Sequence, residues 1–207
     1  IKTKTLRGKN LKEYPLKFIA ADLNKEALES TKKNLESHDL QCYYVHADIS
    51  NPQKFKDILQ YQFNINISDL FHVRSFLDHN RTYNNQKNYH FIGTEISKCA
   101  FSHNGSFINS SEVKYDLVSH FKTWSQYINK HGLLLLELHG VNTHNDYTFA
   151  KTPSVAYEAT HGYSDQYIVE YKVFLECAKE AGLSKIEKYT RVFPDNELAM
   201  ISINIFK

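Results

Sequence analysis

Apolar and polar positions fall in alternating blocks along the chain. Residues 16–21 form a short apolar run closed by Asp22, the mark of a buried strand. Asn24 offers a helix cap, Glu26 sits in the first turn, and Ala27, Leu28, Thr31 and Leu35 share one helical face. Residues 40–45 predict a Tyr-rich second strand leading to Asp48. Asn51-Pro52 opens the next helix with Pro at its first position, and Phe55, Ile58 and Leu59 supply its apolar stripe. A third strand is expected over 69–77. Residues 82–110 are polar and irregular, with Asn104-Gly105 as a hairpin signal. Helical spacing returns over 113–128 through Leu117, Phe121 and Trp124, and Gly132 stops it. Residues 133–138 form the most hydrophobic strand. A helix over 164–181 and a strand pair at 186–192 and 198–206 close the chain.

Strands alternating with helices predict a largely parallel, doubly wound α/β sheet. At 207 residues the chain suits a single domain with an irregular insertion at about 80–110. Its 42 % hydrophobic content excludes a disordered chain. A formal net charge of +2 gives no reason to invoke nucleic acid or an anionic membrane as partner. Three scattered cysteines, Cys42, Cys99 and Cys177, read as reduced thiols and point to the cytoplasm. No apolar stretch reaches the roughly 20 residues of a membrane span.

Ligands of open α/β sheets collect at the carboxyl ends of strands. Asp22 there suits a ribose diol, and Asp48, with Ile49 beside it, suits an adenine amino group; either acid also suits a helix cap or turn. The pair, one strand–helix unit apart, favours an adenosine-containing ligand.

The segment Phe18-Ile19-Ala20-Ala21-Asp22-Leu23-Asn24, a helix, and then Ala47-Asp48-Ile49 resembles the middle of a class I S-adenosylmethionine-dependent methyltransferase. Three further stretches resemble the metal-dependent C-methyltransferase domains of polyketide synthase loading modules: Val73-Arg74-Ser75-Phe76-Leu77-Asp78-His79-Asn80-Arg81, the run from His131-Gly132 to Leu138-His139, and the run from Ala159-Thr160-His161 to Gln166-Tyr167. The resemblance implies a Rossmann-like fold, mostly parallel with an antiparallel C-terminal strand. It implies S-adenosylmethionine held by Asp22, Leu23, Asp48, Ile49, Arg74 and Ser75. It also implies His139, His161 and Gln166 as ligands of iron or manganese, and His139, His161 and Tyr163 at the reacting centre. The expected partner is an acyl carrier protein or a small acyl substrate, and the expected reaction is methylation of a malonyl-type carbon. The family's Gly-rich loop has no counterpart before Asp22, so the first strand and loop are expected upstream of Ile1.

Other residues keep open readings. Tyr157, Tyr167 and Glu137 suit either a base or packing, and His79 suits a base or a structural hydrogen bond. Arg74 and Arg81 suit a carboxylate, a phosphopantetheine or a partner in Asp78. Competing functions are a metal-free small-molecule methyltransferase, a non-catalytic scaffold domain and a nicotinamide-binding domain.

Overall fold

The computed structural model describes residues 5–38, 40–84, 93–141, 160–161, 163–196 and 199–207. Its contacts divide the chain into two units, residues 1–64 and 65–207.

In the first unit, a short helix α1 (Leu6–Lys9) precedes strand β1 (Lys17–Asp22), helix α2 (Lys25–Glu36), strand β2 (Gln41–His46) and helix α3 (Pro52–Phe63). β1 and β2 pair in parallel, with Asp22 opposite His46. The predicted caps form. Asn24 Oδ1 accepts from the amides of Glu26 and Ala27, and Asn51 Oδ1 accepts from that of Lys54. Leu28 of α2 and Phe55 and Leu59 of α3 are buried, so both stripes face inward.

The second unit holds β3 (His72–Ser75), the hairpin β4 (Phe101–His103) and β5 (Ser106–Ile108), α4 (Ser110–Ile128), β6 (Leu133–Leu138), α5 (Tyr171–Glu180), β7 (Arg191–Phe193) and β8 (Ile201–Phe206). One sheet runs β3-β6-β8-β7. β3 and β6 are parallel, whereas β8 is antiparallel to both β6 and β7. The sheets are therefore not clearly mostly parallel: β1–β2 is parallel and the four-stranded sheet is mixed, while the C-terminal strand pair and the 101–108 hairpin add antiparallel pairings.

Two boundaries also differ from the sequence reading. The third strand is only His72–Ser75, because Phe76 takes a left-handed φ of 55° and the chain then enters the 3-10 turn Asp78–Asn80. The last helix starts at Tyr171 rather than 164. Asp165 is left-handed at φ 53°, and residues 167–169 run extended, with the Tyr167 amide donating to the His79 carbonyl (2.8 Å) and the Gly140 amide to that of Val169 (3.2 Å).

α4 is held at its start by a capping box between Asn109 and Glu112. Its stripe, Val113, Leu117, Phe121 and Ile128, joins Leu133, Leu135, Phe174 and Phe206 in one core, where Phe121 meets Phe174 edge-on at 5.4 Å. No helix among the described residues is long and apolar enough to cross a membrane.

Gly132 ends α4's connection at φ 96°, and a Cβ there would stand 2.8 Å from the Phe206 carbonyl oxygen. Gly182, at φ 84°, has nothing within 4 Å of such a Cβ. Gly132→Ala should therefore cost about 1–3 kcal/mol, more than Gly182→Ala, which meets only backbone strain. Urea unfolding followed by the fluorescence of Trp124, the chain's one tryptophan, measures both; equal costs would remove the close approach to Phe206 as a constraint.

Candidate functional site

At the carboxyl edge of β1 and β2, the two acids stand as the sequence expects. The ladder continues past the strands through the Ala47 amide on the Asp22 carbonyl at 3.0 Å, so Asp22 and Asp48 leave the same edge on adjacent chains. The His46 ring bonds the Leu23 carbonyl at 2.8 Å and ties the two loops together. Asp22 Oδ1 accepts from the Asn24 amide at 2.8 Å, and its other oxygen has no partner among the described residues. Asp48 Oδ1 accepts from the Ser50 amide at 2.7 Å. Neither acid caps a helix, since Asn24 and Asn51 do that work. Leu23 is 60 % exposed, and Ile49 is half-buried.

In the second unit, the carboxyl ends of β3 and β6 lie side by side, and a small pocket opens there. Asp78, His79, Arg81, Glu137, Tyr167 and Phe174 are among the residues that line it. Glu137 is buried and organises the turn after β3. Its Oε2 accepts from the amides of Asp78 (2.9 Å) and His79 (3.3 Å), and its Oε1 faces His79 Nδ1 at 2.5 Å. The carboxylate thereby orients the ring, with Nδ1 turned toward Glu137. A histidine so held is a carboxylate–imidazole dyad, the arrangement of a general base. The sequence pointed to His79 and Glu137 separately, and it held no signal for their pairing across 58 positions.

Two arginines are drawn into the same cluster. Arg81 Nε donates to Asp116 Oδ2 at 2.6 Å, and Arg74 Nη1 donates to Asp78 Oδ1 at 2.6 Å. His120 Nε2 shares Asp78 Oδ1 at 2.9 Å. Ser75, at the end of β3, is exposed.

The residues expected to hold a metal have protein partners in the structure. His139 is 1 % exposed, with Nε2 on Ser202 Oγ at 2.7 Å and Nδ1 facing the Val169 carbonyl at 3.4 Å. Asn204 Nδ2 supports Ser202 Oγ at 2.8 Å, and Tyr171 donates to Asn204 at 2.9 Å. His139 is thus the end of a buried hydrogen-bond chain that ties β6 to β8. His161 donates through Nδ1 to Gln166 Oε1 at 2.8 Å, so these two expected ligands bond each other. Among the described residues, no three His, Cys, Asp or Glu side chains converge as metal ligands would. His79 is close enough to lower the pKa of both His139 and His161, although burial is the larger cause for each. Tyr163 is 92 % exposed and does not line the pocket, whereas Tyr167 does. Tyr157 lies outside the described residues.

A family model described as the AprA MT2-like domain, a methyltransferase family, matches residues 1–204. The chain belongs to that family. No curated protein matches it significantly. Membership makes methyl transfer the general activity of the domain, and it agrees with the acid-topped pair β1–β2.

Burial also sets a pH dependence. Desolvation pushes His139 down to about 3 and His72 down to about 4, with Arg74 adding to the latter. The unfolded chain, with histidines near 6.5, then binds more protons than the folded one below that pH. Stability is fully present above about pH 6.5 and falls as pH drops toward 4, by up to about 1.4 kcal/mol per unit for each histidine. The urea midpoint followed at Trp124 should decline from pH 7 to pH 5; a midpoint flat or rising over that span would contradict neutral buried histidines.

Proposed function

We propose that the domain transfers a methyl group from S-adenosylmethionine to an acyl carbon, with His79 as the proton acceptor. The reading is carried by Asp22 and Asp48 topping adjacent parallel strands in a chain of a methyltransferase family. Asp22 has a carboxylate oxygen left for a ribose hydroxyl, and the exposed Leu23 offers apolar surface beside it. Asp48 and Ile49 stand on the neighbouring loop for the base. Parallel β1–β2 in the first unit, and parallel β3–β6 flanked by antiparallel β8 and β7 in the second, support a Rossmann-like methyltransferase fold.

S-adenosylmethionine supplies an electrophilic methyl group on a sulfonium. What this chain must add is a nucleophile. A carbon beside a thioester carbonyl becomes one when its proton leaves, and the Glu137-held His79 is built to receive that proton at Nε2. The carboxylate then stabilises the imidazolium that forms. A malonyl-type group on an acyl carrier protein, or a free acyl molecule, supplies such a carbon. The scattered spacing of Cys42, Cys99 and Cys177 agrees with a cytoplasmic setting.

Two variants test the assignment. Asp22→Ala should weaken S-adenosylhomocysteine binding by about 1–3 kcal/mol in calorimetry, through loss of charged hydrogen bonds. His79→Ala should leave that binding intact and lower methyl incorporation into an acyl carrier substrate by about 10²–10⁴-fold. Unchanged affinity in the first variant removes Asp22 from the donor site, and unchanged turnover in the second removes His79 as the base.

A further inference from the structure

Sequence alone gives Arg74 and Arg81 equal claims on an anionic group, and the structure separates them. Arg81 is spent: beyond its bond to Asp116, Nη1 and Nη2 donate to the carbonyls of Asp78 (3.0 Å) and Val113 (3.1 Å). Arg74 is engaged at one corner only. Its Nη1 meets Asp78 Oδ1 at 2.6 Å and lies 3.1 Å from His120 Nε2, while the Trp124 ring covers one face with its centre 4.5 Å from Cζ. Arg74 Nε and Nη2 are buried and have no acceptor among the described residues. The side chain is 5 % exposed, so bulk water does not serve these donors.

Nε and Nη2 lie along one edge of the planar guanidinium with parallel N–H bonds. That edge matches the two oxygens of a carboxylate in a bidentate pair. Asp78, which holds the opposite corner of Arg74, lines the pocket beside His79. We propose that the Nε–Nη2 edge of Arg74 is a binding site for the carboxylate of a ligand. Burial lowers the arginine's pKa against the opposing pull of Asp78 and Glu137. A ligand carboxylate supplies both missing acceptors in charge-assisted bonds. A neutral amide or ester brings acceptors without charge.

The site is read from the second unit alone. It rests on the proposed function only for the source of the carboxylate, either an acidic acyl acceptor or the amino-acid end of the methyl donor. Calorimetry on the full chain separates the sources with four probes. Malonate and its neutral counterpart malonamide form one arm. S-adenosylhomocysteine and 5′-methylthioadenosine, which lacks the amino-acid carboxylate, form the other. Arg74→Met should bind malonate or S-adenosylhomocysteine at least about tenfold more weakly than the unaltered chain, with the neutral member of that arm unchanged. Loss on the malonate arm assigns the site to the acceptor, and loss on the other arm assigns it to the donor. Arg74→Lys, which keeps the charge and loses the fork, should not restore binding; it also serves alone should the methionine variant not fold. Full malonate and S-adenosylhomocysteine affinity in either folded variant overturns the site, as does failure of the unaltered chain to distinguish malonate from malonamide and S-adenosylhomocysteine from methylthioadenosine. If neither nucleoside binds while malonate binding still depends on Arg74, the site stands and the methyl-transfer reading falls.

Discussion

The turn that follows β3 exists in its observed form because a buried carboxylate receives it. Glu137, 2 % exposed, accepts the amides of Asp78, His79 and Leu138 as well as the His79 ring. Withdrawing a carboxylate from water costs several kcal/mol, by rough count, unless donors replace the lost solvent. Here four N–H groups do so, and three of them come from the backbone, which cannot rotate away. The same bonds hold Asp78 where Arg74 and His120 reach it. One acid at the end of β6 therefore sets the position of the His79 ring, the pairing of Arg74 and one wall of the pocket.

Parallel pairing of β3 and β6 makes this possible. Ser75 lies opposite Leu136, so Glu137 emerges one step beyond the last paired residue of β3, level with the turn it holds. A slip of one residue would turn Glu137 to the other face of the sheet. The register is protected from both sides, by α4 packing its apolar stripe on Leu133 and Leu135 and by β8 pairing along all of β6.

Much of this was legible in the sequence where the signals are local. Asn24 and Asn51-Pro52 announce helix starts, Asn104-Gly105 announces the hairpin, and Gly132 announces a stop, because each depends on a few neighbouring dihedrals. The edge carrying Asp22 and Asp48 was also readable, since two strand–helix units in series place both acids at one end. The short β3 and the late start of α5 were not: Phe76 takes a left-handed conformation that its residue type does not advertise, and Asp165 takes one with its carboxylate on the distant Asn104 amide. His139 shows the same limit from the other direction. Its place after the most hydrophobic strand suggested a ligand, yet Ser202 and Asn204, more than 60 positions away, claim it for the sheet.

Tyr167 is fixed at both ends. Its amide bonds the His79 carbonyl at 2.8 Å, its hydroxyl meets His103 Nδ1 on the hairpin at 2.7 Å, and its ring packs against Tyr83 at 5.4 Å. Burial raises that hydroxyl's pKa to about 12, so it stays neutral across the ordinary range. The wall it forms cannot swing aside by a simple rotamer change. The hairpin tip is in turn seated on Asp165, whose Oδ1 accepts the Asn104 amide at 3.0 Å, so the placement of that wall depends on a bond made outside the pocket.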